Sequence, residues 1–133
     1  MKISKEDFQQ MRAKYTAEVR QGKPAQTMTG ENTNQTSWLF FNRETLEGLL
    51  AQVDKDPKIG GVQIFLSEYT EEVAKKLYPK SYEQVVGSLT LVLCPANLNE
   101  SKLTRVELEE GGTTYENHGE ICPPHCQPDP TDV

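Results

Sequence analysis

Gly87-Ser-Leu-Thr-Leu-Val-Leu-Cys94 is the stretch that decides the fold, because its apolar residues follow one another almost without interruption. Such a run is typical of a strand that is buried on both faces of a sheet. We therefore place it at the centre of the sheet. Two shorter runs rich in aromatic and β-branched residues, Ser37-Trp-Leu-Phe-Phe41 and Val62-Gln-Ile-Phe-Leu-Ser-Glu-Tyr69, predict two further strands.

The N-terminal region has the spacing of an amphipathic helix. Residues 5–20 carry an apolar residue at every third or fourth position: Phe8, Met11, Tyr15 and Val19. Ser4 is suited to accept the backbone N–H of Asp7 as an N-terminal cap, and Gly22 is suited to a left-handed C-terminal cap. The pattern predicts one helix with a narrow apolar stripe.

Two more helices are predicted between the strands. Asn42 is a favourable N-cap residue, and it precedes apolar residues at helical spacing: Leu46, Leu49, Leu50 and Val53. Thr70 similarly precedes a short helix over residues 71–77. The order strand, helix, strand predicts that the first two strands are parallel. A hairpin is also predicted between residues 102–109 and 113–116, across Gly111-Gly112.

The elements together predict an α+β domain. We expect a small mixed sheet of three to five strands with two or three helices, followed by a Pro/Cys-rich C-terminal tail. The predicted organisation is an N-terminal helix over residues 1–22, a flexible loop over 23–35, the α+β core over 36–116 and a Cys/His/Pro-rich tail over 117–133. The loop is assigned from its Gly, Pro, Thr, Asn and Gln content.

Charge and hydropathy exclude several classes of function. The net charge is −6, and the first 30 residues are basic, with six Lys/Arg against three Asp/Glu. The remainder is acidic and would repel phosphate, so we expect no nucleic-acid partner. The charged N-terminus lacks the apolar core of a signal peptide, and no apolar run approaches the roughly 20 residues of a membrane span. We therefore expect a cytoplasmic protein with no membrane association.

The tail Tyr115-Glu-Asn-His-Gly-Glu-Ile-Cys-Pro-Pro-His-Cys126 is the one place where candidate chemistry is concentrated. His118, Cys122 and Cys126 form a candidate metal set for a structural zinc, with Cys94 or a carboxylate as the fourth ligand. His125 is adjacent to Cys126 in the chain, so both are not expected to face one metal.

Three other interpretations of the tail remain open. Cys122 and Cys126 can form a disulfide if the chain turns at His125. One of them can be a reactive thiol, with His125 favouring the thiolate of Cys126. Alternatively both thiols are reduced and pack against the sheet with Ile121. Cys94, within an apolar strand, is interpreted as core filling.

Other catalytic patterns are missing from the sequence. It has no Walker loop, no Gly-x-Gly-x-x-Gly, no Gly-x-Ser-x-Gly and no His-Glu-x-x-His. Glu68, Glu71 and Glu72 cluster after a predicted strand, where we interpret them as the solvated start of a helix.

Part of the chain resembles a protein family. The strand Gly61-Val-Gln-Ile-Phe65, the strand Leu89–Leu93 followed by Pro95, and Cys122-Pro-Pro-His-Cys126 are similar to a family of small Bacteroidota proteins with a C-terminal Cys-Pro-Pro-x-Cys tail. The resemblance covers residues 36–126. Gln63 stands where that family commonly has Arg, and one extra residue precedes Gly119. The resemblance implies an intracellular bacterial origin and a recurrent tail, and it implies no activity.

These observations favour a non-enzymatic cytoplasmic interaction or structural module with a protein partner. Its cofactor is expected to be none or a structural zinc. Two alternatives follow from the same sequence. The first is a thiol- or zinc-dependent enzyme centred on the Cys/His tail, and the second is a subunit of a bacterial defence or toxin–immunity system.

Overall fold

The computed structural model describes residues 2–106, 115–117 and 120–124. In these ranges it has four α-helices and five strands, in the order α1 (Lys5–Ala17), β1 (Trp38–Phe40), α2 (Arg43–Leu50), β2 (Gly60–Glu68), α3 (Glu71–Leu77), α4 (Tyr82–Val85), β3 (Leu89–Asn99), β4 (Lys102–Arg105) and β5 (Glu120–Cys122). A short 3₁₀ turn, Val19–Gln21, follows α1. The predicted α+β class is confirmed, with more helices than the two or three expected.

The described strands form two small antiparallel sheets. One has the order β2-β3-β4, which confirms the central position predicted for β3. The other pairs β1 with β5, with Trp38 opposite Cys122. The prediction that the first two strands are parallel neighbours is therefore wrong. The connection from β1 to β2 is long enough to permit parallel pairing but does not require it. Here β1 pairs instead with β5, from the C-terminal tail.

The turn between β3 and β4 is formed by Glu100 and Ser101, both with positive φ, at 48° and 71°. Two successive left-handed residues fit the right-handed twist of a tight hairpin. The strand predicted over residues 102–109 is thus present at Lys102–Arg105 and pairs with β3. The Gly111-Gly112 turn predicted to follow it lies outside the described residues.

Local capping places the helices where the sequence predicts them. The side chains of Ser4, Asn42 and Thr70 each accept a backbone N–H from three residues further along the chain. Gly22 has φ +78°, the left-handed conformation predicted for the end of the first helix. Among the described helices, none has the length and apolar character needed to cross a membrane.

The main core lies between α1 and one face of the three-stranded sheet. Phe8 makes an edge-to-face contact with Phe65, with ring centroids 4.9 Å apart, and stacks on Tyr115 at 4.4 Å. Met11 is fully buried in the same cluster. The narrow stripe of the N-terminal helix thus packs into the core of its own domain.

The segment between Gly22 and Ser37 has little regular structure but is hydrogen-bonded to the start of β3. Asn32 and Gln35 each donate a side-chain N–H to the C=O of Gly87, at 3.0 Å in both cases. Gln35 also accepts the N–H of Leu89 at 2.6 Å. These bonds hold the segment against the sheet and close to the Pro123-Pro124 turn described below.

Candidate functional site

Cys122 ends β5 and is fully buried. It lies opposite Trp38, and its C=O accepts the N–H of Ser37 at 2.6 Å. Its sulfur is part of a disulfide. The interpretation of both tail thiols as reduced is therefore wrong for Cys122. Ile121, beside it, is also fully buried in the core, so this part of the tail packs into the domain.

The other residues of the predicted metal set are not placed by the structure. His118 and Cys126, together with His125, lie outside the described residues. Within the described part of the chain, no group of three His, Cys, Asp or Glu side chains is arranged to hold a metal ion. A disulfide sulfur has no thiolate to offer a metal. The zinc set of His118, Cys122 and Cys126 stays a prediction, and it applies to the reduced protein.

Cys94 is a free cysteine that is buried in β3. Its Sγ lies 3.6 Å from the C=O of Pro95, and the residue belongs to the main core cluster. The prediction that Cys94 fills the core is confirmed.

The chain turns at Pro123 and Pro124, directly after β5. The sequence argument required a turn at His125 because it assumed an extended proline run, whereas both X-Pro bonds here are cis. A polar cavity of about 470 Å³ opens beside this turn. Its walls come from the Gly22–Ser37 segment, from α4 and from the two prolines: Thr27, Thr29, Glu31, Asn32, Thr33, Asn34, Glu83, Gln84, Pro123 and Pro124.

Asn117 anchors the tail from inside the protein. Its side chain is fully buried, and Nδ2 donates to the C=O of Leu91 at 2.6 Å and to Thr90 Oγ1 at 3.1 Å. Its Oδ1 accepts the hydroxyl of buried Tyr69 at 2.6 Å. Burial raises the pKa of Tyr69. A buried amide with satisfied donors and acceptor fixes the chain in one position.

A second polar cluster joins α1 to the end of β2. Lys14 Nζ lies 2.9 Å from Glu68 Oε2 and 2.8 Å from Glu18 Oε2, and it donates to the C=O of Gln26 at 2.9 Å. Glu18 Oε1 also accepts the N–H of Gln26 at 2.6 Å. Glu68 is fully buried. Its interpretation as part of a solvated helix start is therefore wrong, because β2 continues to Glu68 and α3 begins three residues later.

The two carboxyl groups of this cluster differ in proton affinity. Burial raises the pKa of Glu68 to about 7, and a hydrogen bond with Glu18 adds to that effect while Lys14 opposes it. Burial also raises the pKa of Glu18, but hydrogen bonds with Glu68, Lys14 and the Gln26 N–H outweigh burial and lower it overall. Neither Glu68 oxygen has a well-oriented hydrogen bond among the described residues, so the effect of Glu18 on Glu68 is that of a nearby carboxyl group rather than of a fixed hydrogen bond. The Lys14 ammonium group still attracts the Glu68 carboxylate at 2.9 Å, because the attraction between charges does not depend on angle.

Large apolar side chains remain exposed on the body of the domain. Ile64 and Leu66 of β2 are 57% and 51% exposed, and α2 leaves Leu46 and Leu50 exposed although Leu49 between them is buried. Single exposed apolar residues are ordinary. Two on one strand, at alternating positions, mark a surface that a partner can cover.

The described residues thus define a class: a small α+β domain whose strand β5 pairs with β1, contains a disulfide-bonded cysteine and follows a tail residue, Asn117, that is held by buried polar contacts. Sequence reasoning singled out Cys122 but missed Asn117, Lys14 and Glu18. Lys14 and Glu18 stand four residues apart on one helix, which is a signal for an ion pair, but their burial depends on Glu68. Comparison of the chain with protein-family models, curated proteins and solved structures gave no match.

Proposed function

We propose that the protein is a non-enzymatic interaction domain whose Cys/Pro tail is a structural clasp. The observation that carries this proposal is the position of Cys122, which is buried, disulfide-bonded and paired through β5 with β1. A buried disulfide sulfur is neither a nucleophile nor a metal ligand, whereas it restricts the unfolded chain and so stabilises the fold. Because Cys94 is not disulfide-bonded, we propose that Cys126 supplies the second sulfur.

The exposed apolar residues support a role in binding. Ile64 and Leu66 are held outward by a strand whose neighbouring residues are packed into the domain. Exposed apolar residues lower the solubility of a protein, and their presence on a surface is accounted for when a binding partner covers them. We propose a protein partner, since the acidic body disfavours nucleic acid. The cytoplasmic location stays a prediction, and the disulfide at Cys122 is a feature more typical of oxidising compartments.

Thiol titration with metal quantification on the native full-length protein tests the clasp. We expect no reactive thiol in the native protein, one in denaturant and three after reduction, with no bound zinc. Cys122→Ser should lower the free energy of unfolding by about 2 kcal/mol, the value expected for the short loop between Cys122 and Cys126. The matched control is Cys94→Ala, which removes a buried sulfur without breaking a disulfide. Two reactive native thiols together with stoichiometric zinc would overturn the proposal.

One observation favours a second candidate function, a thiol- or zinc-dependent enzyme. The polar cavity of about 470 Å³ is lined by Pro123 and Pro124, which directly follow Cys122, and by two carboxylates, Glu31 and Glu83. A substrate in this cavity would lie beside the turn that follows Cys122. The titration separates the two functions, because the enzyme requires reactive thiols or bound metal.

A further inference from the structure

One edge of the three-stranded sheet is bare in the described structure. β2 is an outer strand, because the sheet order is β2-β3-β4. On the far side of β3, by contrast, the sheet is extended by β4 and by bridges from Leu93 to Glu116 and from Glu116 to Lys2. Backbone groups on the outer edge of β2 are thus the ones left for a partner strand.

The hydrogen-bond register shows which residues of β2 face that edge. Tyr69 donates its N–H to the C=O of Ser88 at 3.0 Å, and β2 continues in the same antiparallel register with β3. In such a pair, every second residue exchanges backbone hydrogen bonds with the neighbouring strand. The residues between them direct their backbone N–H and C=O groups to the opposite edge. The outward set within β2 is therefore Gly60, Val62, Ile64, Leu66 and Glu68. The three central members, Val62, Ile64 and Leu66, are the ones considered for pairing with another strand.

Most of these outward groups have no partner among the described residues. The exception is the C=O of Leu66, which accepts a hydrogen bond from Arg12. At the start of the strand, the N–H of Gly60 is satisfied by the C=O of Asp56 at 3.0 Å. The backbone N–H and C=O groups of Val62 and Ile64, with the N–H of Leu66, form a continuous free row.

The strand itself lacks the features that usually prevent pairing, and the charged side chain at its edge, Arg12 on the C=O of Leu66, comes from α1. Gly60-Gly-Val-Gln-Ile-Phe-Leu-Ser67 contains no charge and no proline. The opposite outer strand, β4, is four residues long and carries Lys102 and Arg105. Short length and charge are the usual protection of an edge against pairing, and a long uncharged edge with outward apolar side chains is a template for another strand.

We propose that β2 pairs with β2 of a second copy of this chain, antiparallel and about a two-fold axis at Ile64. The inference deepens the proposed interaction function by naming the partner. Ile64 then lies opposite Ile64 of the other copy, and Val62 lies opposite Leu66. Each opposed pair exchanges two hydrogen bonds, which gives six across the interface once Arg12 leaves the Leu66 C=O.

A second copy fits this edge because the edge is self-complementary. The same three residues supply donors and acceptors on both sides, and their side chains meet on one face as apolar pairs. No like charges are brought together, since residues 60–67 are uncharged. Only three residues of each strand are paired, so we expect a weak dimer that dissociates in the micromolar range.

Light scattering during size-exclusion chromatography of the full-length protein tests the dimer. The mass should rise from one chain toward two as the concentration passes from about 1 µM to about 500 µM. Ile64→Lys should remain at the mass of one chain at every concentration, because it opposes two like charges at the axis. Leu103→Lys, on the other outer strand and similarly exposed, should dimerise as the native chain does. A native protein that stays a single chain at about 500 µM overturns the proposal.

Cysteine cross-linking tests the register. Opposed hydrogen-bonding residues have Cα atoms about 5.5 Å apart, within the range that a disulfide can bridge. Ile64→Cys should therefore cross-link to itself under mild oxidation. Val62→Cys should cross-link to Leu66→Cys in a mixture but not to itself. Equal self-cross-linking at residues 62 and 64 contradicts a two-fold axis at Ile64. The thiol titration of the native protein can fail without affecting either result.

Discussion

Glu68 is the residue whose environment differs most from what its side chain prefers. A fully buried carboxyl group beside Glu18 is held by a single ammonium group, that of Lys14. Since its pKa is raised to about 7, Glu68 takes up a proton in the folded protein at pH values where the unfolded chain is ionised. Protonation of Glu68 leaves one carboxylate charge, that of Glu18, beside the Lys14 ammonium group.

This gives a stability prediction for Glu68→Gln. The folded pKa lies above the unfolded value of 4.5, so the stabilisation from Glu68 is complete below pH 4.5 and is lost as the pH rises toward about 7. The loss is on the order of 3 kcal/mol in the native chain. In Glu68→Gln this loss should be absent, because Gln resembles the protonated acid. Glu18 has the opposite effect on stability, because its pKa is lowered in the folded protein. Its contribution is present above pH 4.5 and is lost as the pH falls below that value.

Urea unfolding between pH 5 and pH 8 measures the effect. The native chain should lose stability relative to Glu68→Gln across this range, with the difference levelling above about pH 7. Glu83→Gln, at an exposed position of α4, should follow the native curve. Parallel curves for the native chain and Glu68→Gln would show that the cluster holds no proton.

Among the elements, the irregular segment between Gly22 and Ser37 depends on a single glycine. Gly87 has φ +82°, and a Cβ at this position would lie 2.5 Å from the C=O oxygen of Gln26. The backbone of the segment therefore passes where any other residue would place its side chain. The same glycine also offers its C=O to Asn32 and Gln35. The left-handed backbone of Gly87 and the hydrogen bonds to its C=O thus hold the Gly22–Ser37 segment in place.

Gly87→Ala should destabilise the protein by at least about 2 kcal/mol, from the left-handed backbone and from the contact with Gln26. The matched control is Gly48→Ala in α2, where a Cβ would meet nothing within 4 Å. Alanine at this exposed helical position should stabilise the protein by up to about 1 kcal/mol. Thermal and urea unfolding of both variants measures the difference. Opposite signs are expected, and a neutral Gly87→Ala would mean that the segment moves aside at little cost.

The elements also show how far local sequence reaches. The caps at Ser4, Asn42 and Thr70 and the left-handed Gly22 were predictable, because each depends on hydrogen bonds or steric limits within a few residues. The partner of β1 was not predictable in this way. β1 pairs with β5, about 80 residues later, and nothing in three residues distinguishes that partner from a nearer strand.

For the whole molecule, the proposed pairing of β2 with β2 of a second copy predicts that stability depends on concentration. If only the folded chain dimerises, mass action stabilises the folded state as the protein is concentrated. Between about 5 µM and about 500 µM, the Tm of the native protein should rise by roughly 5 °C. The Tm of Ile64→Lys should stay constant, and differential scanning calorimetry measures both. A native Tm that does not change with concentration would contradict association of folded chains.

The sequence alone determined the α+β class, the central position of β3, the helix starts and the acidic character that disfavours nucleic acid. These follow from composition, from apolar periodicity and from hydrogen bonds between near neighbours. Tertiary structure decided that Glu68 is buried, that Cys122 is disulfide-bonded and that β2 is an outer strand among the described strands. Each of these depends on which distant segments meet. Burial, pKa and disulfide pairing depend on contacts between segments that are distant in the sequence, and the residue types alone do not specify those contacts.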